Sequence, residues 1–207
     1  MAGNGLLAHA APMTSRMAAS NTSKLEASKT ESLLDAINAA DSATAAQLIT
    51  PFIENAPWLA LHVSAARPFS NPSALLAAIA EAIRSADEAD QLRLLNGHPE
   101  LAGVEAKAGL MTEASTGEQG RLGLDRLSAG DLARLETANR DYRSRFGFPY
   151  IVALHRYAAL ADIFRDLDAR MGHDLLTERS RALEEVIAVT QGRLTRHFGL
   201  FPILPTD

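Results

Sequence analysis

The chain has 207 residues, of which 47% are hydrophobic and 22% charged, and its net charge at neutral pH is −5. This length is typical of one domain, and the composition is typical of a water-soluble globular core. The slight acidic excess provides no basic surface for nucleic acid or anionic membranes, so we expect neither partner. Without cysteine there can be no disulfide, thiolate nucleophile or cysteine-ligated metal. We find no secretion signal and no membrane-length apolar run, and we expect a cytoplasmic protein.

The N-terminal residues 1–30 differ in composition from the rest of the chain. They are rich in Ala, Ser, Thr, Asn and Met and show no apolar period. Such a segment buries too little apolar surface to offset the entropy of ordering, so we predict a mobile tail. The folded domain is then expected to span residues 31–207.

Apolar residues recur with helical spacing through this domain. The predicted helices are one with Leu33, Leu34 and Ile37, one capped at Ser73 with Leu75, Leu76, Ile79 and Ile83 inside, one through Asp90–Leu95, one from Ser128 to about Arg145, and a last long one from Thr177. Only the run Tyr150–Leu154 is typical of a strand. We therefore predict an all-α fold, a single-domain helical bundle.

A histidine lies where one of these helices is expected to end. Gly97 and Pro99 terminate the helix, and the proline restricts the backbone of His98 between them. A histidine before proline is common in turns, so this residue alone is as compatible with a loop as with catalysis.

The segment Ser115-Thr116-Gly117-Glu118-Gln119 also has two interpretations. Ser-x-x-Glu is the pattern of a helix capping box, in which the two side chains bond each other's backbone amides. In the alternative, the Glu118 carboxylate points toward His98 and orients its imidazole.

A third segment, Phe146-Gly147-Phe148-Pro149-Tyr150, ends a helix between aromatic residues and leads into an extended stretch. Backbone N–H and C=O groups there are free to line a pocket. The alternative is a hydrophobic loop that fills the core.

Together the three segments resemble the 2-oxo-4-hydroxy-4-carboxy-5-ureidoimidazoline (OHCU) decarboxylase family. That family carries His-Pro-Asp/Glu-Leu-Ala, then Ser-x-x-Glu-Gln, then Phe-Gly-Phe-Pro-Phe-Ile in this order, and here Tyr150 stands at a usual phenylalanine. The segments Glu54–Trp58 and Arg67–Phe69 and the last helix match as well, so the resemblance covers about residues 31–200.

The resemblance implies decarboxylation of OHCU to (S)-allantoin in uric acid degradation, by a homodimer and without a cofactor. It implies that His98 is the acid/base group, that Glu118 is its partner and that a catalytic arginine lies at Arg193, with Arg196 as the other candidate. A surface role, with its stem on the core margin, is the alternative for Arg193. The implied substrate contacts are Pro99, Ser115, Gln119, Tyr150, Ile151, Val152, Ala153 and Leu154.

Two other classes of function compete with this interpretation. A metal-dependent hydrolase would need clustered ligands, but His62, His98, His155, His173 and His197 are scattered and none pairs as His-x-x-x-His. We therefore expect no metal site. A helical binding module, in which the histidine loop and capping box are structural, is the non-enzymatic alternative.

Overall fold

The computed structural model describes residues 33–199. In this range the chain forms α-helices and two short 3₁₀ turns, and it forms no strand. Residues 33–39 form α1, and the other helices are α2 (Ser42–Ile49), α3 (Pro57–Ser64), α4 (Pro72–Ser85), α5 (Glu88–Asn96), α6 (Val104–Ala108), α7 (Glu113–Arg121), α8 (Ala129–Phe146), α9 (Leu160–Arg170) and α10 (Leu175–Phe198). The 3₁₀ turns span Thr50–Phe52 and Leu154–Arg156. The all-α prediction is confirmed, while the predicted tail over residues 1–30 and the domain ends at 31 and 207 lie outside the described residues.

Helix α10, with 24 residues, organises the bundle. It packs along α4 and also contacts α5 and α8, while α2, α3 and α4 pack on one another in sequence. The apolar positions predicted on α4 are fully buried, as are Ile37 of α1 and Ile49 of α2. No helix within residues 33–199 is both long and apolar enough to cross a membrane.

Two helices begin slightly earlier than predicted, because a residue before the predicted cap serves as the N-cap. Helix α4 is capped by Asn71 and not by Ser73, because the Asn71 side chain accepts a first-turn N–H. Helix α10 is capped by Asp174, which accepts two backbone N–H groups, so Thr177 lies inside the helix. The start predicted at Ser128 is confirmed.

The strand predicted at residues 150–154 is wrong. After α8, Gly147 adopts a left-handed conformation (φ 81°) and the chain enters an extended but unpaired segment that ends in the second 3₁₀ turn. All five residues of the segment are buried. These residues are apolar because the segment is buried on all sides inside the bundle. A continuous apolar run does not distinguish a strand from any other buried segment.

Asn38 in α1 fixes the chain that precedes α4. Its side-chain amide donates to the Phe69 carbonyl (2.8 Å) and accepts the Phe69 N–H (2.8 Å). Phe69 is buried, so both of its peptide groups depend on this one side chain for their hydrogen bonds.

Replacing Asn38 by alanine should lower the free energy of unfolding by about 2 kcal/mol, because a buried donor and a buried acceptor lose their partners. Urea denaturation measures the change, with Gln47→Ala on the exposed surface of α2 as the control. A loss below about 0.5 kcal/mol would show that water or a shifted backbone replaces both bonds.

Candidate active site

A small cavity, with about 30 Å³ of space for the centres of water molecules, lies between the end of α5, α7, the segment 150–154 and α10. It is lined by His98, Pro99, Leu101, Ser115, Glu118, Gln119, Tyr150, Ile151, Val152, Leu154, Val189 and Arg193. The structure thus brings together every site residue predicted from the sequence except Ala153.

The imidazole of His98 is held by the backbone of the helix that precedes it. Gly97 caps α5, and the His98 Nδ1 lies 3.1 Å from the carbonyl oxygen of Leu94. A carbonyl only accepts, so Nδ1 carries the proton and, in the neutral ring, Nε2 has the free lone pair. Nε2 is buried and has no hydrogen-bond partner among the described residues.

Burial lowers the pKa of His98, because the charged imidazolium loses its hydration. Three weaker effects raise this pKa. They are the negative charge of Glu54, the hydrogen bond to Leu94 and, as the smallest of the three, the negative charge of Glu118. Since the net shift is downward, His98 is neutral at physiological pH. It is therefore available as a base inside the cavity.

The capping-box interpretation of Ser115 and Glu118 is wrong, because α7 begins earlier. Thr112 is the N-cap, and its side chain accepts the Ser115 N–H (3.2 Å). The Ser115 hydroxyl is consequently free for other partners. It donates to Glu54 (2.8 Å) and accepts from Arg193 (3.2 Å).

The Glu118 carboxylate binds Arg193, whereas the sequence led us to expect it against His98. Arg193 Nε and Nη2 each lie 3.1 Å from a Glu118 oxygen, and Nη2 also lies 2.6 Å from Glu54. Although burial disfavours the guanidinium charge, the bonds to Glu118 and Glu54 raise the pKa of Arg193. Imidazole orientation thus comes from the Leu94 carbonyl, and Glu118 acts on His98 only through its charge.

Arg193, and not Arg196, is the arginine inside the cavity. Arg193 is 5% exposed, so the alternative of a surface arginine is wrong. The Arg196 side chain is 59% exposed and approaches Glu118 only to 3.7 Å. No described residue bonds the Arg193 Nη1 group, which leaves it available to a ligand.

Glu54 is a buried acidic residue beside the cavity to which the sequence analysis assigned no role. It follows the first 3₁₀ turn, is 2% exposed and accepts hydrogen bonds from Thr112, Ser115 and Arg193. Burial opposes its ionisation, yet Arg193 and the hydroxyl donors lower its pKa. A signal was present in the sequence, because Glu54 is an acidic residue directly after the apolar pair Phe52-Ile53 in a segment that matched the family.

Three other predicted contacts have partners within the protein. Gln119 accepts the Ala102 N–H (2.8 Å) and donates to the Glu100 carbonyl (3.2 Å), so its amide holds the loop that follows His98. The Tyr150 hydroxyl donates to Asp166 (2.5 Å). Ala153 does not line the cavity, since its N–H is bound to a carboxylate of α10.

Within residues 33–199, no three His, Asp or Glu side chains cluster in a way that could hold a metal ion. The two carboxylates that bind Arg193, Glu54 and Glu118, have arginine and hydroxyl partners instead. The chemistry of this donor set is that of proton transfer and anion binding.

Comparison with known proteins agrees with this arrangement. The profile of the OHCU decarboxylase family matches residues 38–195. The 2-oxo-4-hydroxy-4-carboxy-5-ureidoimidazoline decarboxylase of Amia calva is 40% identical over 142 residues, which cover 69% of this chain and 81% of that protein. The chain belongs to the OHCU decarboxylase family.

Two solved structures share the fold. A crystal structure of (S)-allantoin synthase superposes with a TM-score of 0.59 at 24% identity, covering 79% of this chain and 53% of that one. A crystal structure of OHCU decarboxylase in the presence of (S)-allantoin gives a TM-score of 0.58 at 19% identity, covering 72% of this chain and 95% of that one.

Replacing Glu54 by glutamine should lower the free energy of unfolding by about 3 kcal/mol, because Arg193 loses one partner of a buried ion pair. The matched control is Glu184→Gln, which breaks a pair with Arg84 whose side chains are 44% and 39% exposed. That change should cost less than about 1 kcal/mol. Equal losses in the two variants, measured by urea denaturation, would contradict a special role for the buried pair.

The lowered pKa of His98 predicts a pH dependence of stability. Below its ordinary value of 6.5, the unfolded chain takes up a proton at this ring that the folded chain does not bind. The free energy of unfolding should therefore fall as the pH drops from 6.5 toward the lowered pKa, and the contribution is complete above 6.5. Denaturation across this range should show a steeper decline for the wild type than for His98→Asn, and identical slopes would refute the assignment.

Proposed function

We propose that this chain decarboxylates OHCU and forms (S)-allantoin, as the names of its relatives and structural neighbours indicate for those proteins. The observation that carries the proposal is the buried, unpartnered Nε2 of His98 in a cavity that also holds Arg193. A neutral base beside a fixed cation suits an anionic substrate in which a proton must move from a hydroxyl group to a carbon atom.

The substrate supplies its own electron sink. When the bond to the carboxylate breaks and carbon dioxide leaves, the electron pair moves into the adjacent ring C=N bond. No cofactor is required to accept it. The protein then needs to hold the substrate, stabilise developing charge and move a proton. That the enzyme works without a cofactor stays a prediction.

We assign the proton transfer to His98. Nε2 accepts the proton of the substrate hydroxyl, which becomes a carbonyl, and later returns it to the carbon that bears the ureido group, while the ring nitrogen that received the electron pair takes a second proton from water. Because the Leu94 carbonyl fixes the ring, this return is directed to one face of the planar intermediate. Delivery to one face accounts for a single enantiomer of allantoin.

The charges around the cavity suit this cycle. Glu54 and Glu118 carry two negative charges, and Arg193 supplies one positive charge. When His98 takes a proton, the second positive charge balances the two carboxylates, which offsets part of the cost of a buried imidazolium. Arg193 Nη1 is placed to bind the anionic substrate, a role that we also propose.

The backbone of residues 151–152 and the side chains of Pro99 and Leu154 complete the proposed substrate contacts. Ser115 and Gln119 contribute by holding Arg193 and the loop after His98. From the family resemblance we further propose a homodimer located in the cytoplasm. Sedimentation analysis of the purified protein tests the first of these, and a monomer at micromolar concentration would contradict it.

Replacing His98 by asparagine should reduce turnover about 10²- to 10⁴-fold, the usual contribution of a positioned acid/base. Freshly generated OHCU is the substrate, and circular dichroism at the wavelengths of allantoin follows both rate and stereospecificity. The control is His62→Asn, an exposed histidine on α3, which should leave both unchanged.

Far-ultraviolet circular dichroism and the melting temperature of each variant confirm that it is folded. Near-wild-type turnover in folded His98→Asn would remove His98 from the mechanism. Absence of stereospecific turnover in the wild type would contradict the proposed function itself.

A further inference from the structure

The extended segment at residues 150–154 is held by two buried charged side chains that do not themselves line the cavity. Arg170 Nη1 in α9 donates to the Ile151 carbonyl (2.8 Å), and Glu185 in α10 accepts the Ala153 N–H (2.7 Å). Arg170 is 2% exposed and Glu185 is 1% exposed. Arg170 therefore binds the backbone group before Val152, and Glu185 binds the one after it.

Val152 itself lacks such partners. It is 5% exposed and lines the cavity, yet neither its N–H nor its C=O forms a hydrogen bond to any residue in the range 33–199. Buried peptide groups are nearly always paired. An unpaired donor and acceptor in a cavity wall are complementary to a ligand that carries an acceptor next to a donor, as an amide or a urea does.

Both charged residues are fixed by further ion pairs. The Arg170 guanidinium binds Glu178 through Nε (2.8 Å) and Nη2 (2.5 Å). Glu185 Oε1 lies 2.7 Å from Arg181 on the same helix and 3.6 Å from Arg156, two charge contacts without hydrogen-bond geometry. Side chains of the helices α9 and α10 thus hold in place a stretch of chain that has no neighbouring strand.

We propose that Arg170 and Glu185 are positioning residues that hold the Val152 peptide groups ready for the ureido or ring amide of the substrate. The inference rests on the proposed function and extends it to residues outside the cavity. The hydrogen bonds between Val152 and the substrate are present both in the bound substrate and in the transition state. Displacing Val152 therefore weakens the binding of both states equally. KM should rise while kcat changes little.

The first variant is Glu185→Leu, which keeps the side-chain bulk but leaves the Ala153 N–H without its acceptor. KM for freshly generated OHCU should rise about tenfold or more, with kcat within about threefold of the wild type. The matched control is Glu184→Leu, one residue earlier on α10 and paired with Arg84 at the surface, which should leave KM unchanged. Glu185→Gln keeps an oxygen acceptor and should restore KM to near the wild-type value.

Arg170→Lys tests the other side of Val152 and covers the case in which Glu185→Leu fails to fold. Lysine keeps the positive charge beside Glu178 but lacks the second nitrogen that donates to the Ile151 carbonyl. We expect the same rise in KM with kcat largely retained.

Titration of the ¹⁵N-labelled protein with (S)-allantoin provides a readout independent of turnover. The Val152 amide resonance should shift in the wild type and in Glu184→Leu, and the affinity should fall in Glu185→Leu by the factor by which KM rises. Unchanged KM in Glu185→Leu and Arg170→Lys, or equal effects in the Glu184 and Glu185 variants, would overturn the inference. A wild type that neither turns over OHCU nor binds allantoin would overturn the proposed function, and the inference with it.

Discussion

The buried ion pairs of Arg193 are the interaction on which the rest of the structure depends. One guanidinium is shared by Glu54 after the first 3₁₀ turn and by Glu118 in α7, while Arg193 itself lies in α10. A charge left alone in this interior would be strongly destabilising, so the guanidinium favours the docking of both carboxylate-bearing elements onto α10. The wall of the cavity is therefore completed by the same contacts that complete the fold.

This arrangement has a chemical consequence for His98. Burial is the main cause of the lowered pKa of His98, and the positive charge of Arg193 lowers this pKa further. The ring therefore enters a reaction cycle as a base. Glu54 and Glu118 nevertheless offset part of the cost of the imidazolium charge once the ring has taken up a proton.

Local sequence patterns located α1, α4, α5, α8 and α10, and the family resemblance supplied the residues of the cavity. Helical spacing identified the buried face of α4, and the stop at Gly97 placed His98 just beyond α5. Direction of side chains was harder to predict where a distant partner decides it. Glu118 turns toward an arginine 75 positions away, a contact that no local pattern reveals. The Ser115 pattern misled for a similar reason, since Thr112 caps the helix first and releases the serine.

The bond from His98 Nδ1 to the Leu94 carbonyl has a consequence for how the protein tolerates sequence change. The group that selects the tautomer belongs to the main chain, so exchanging the side chain at position 94 does not remove it. Divergence along α5 is thus compatible with an unchanged base, provided that the buried side chains still pack. An inserted or deleted residue is different, because it turns the following helix by about 100° and carries that carbonyl away from the ring. For this part of the protein, length is constrained more tightly than composition.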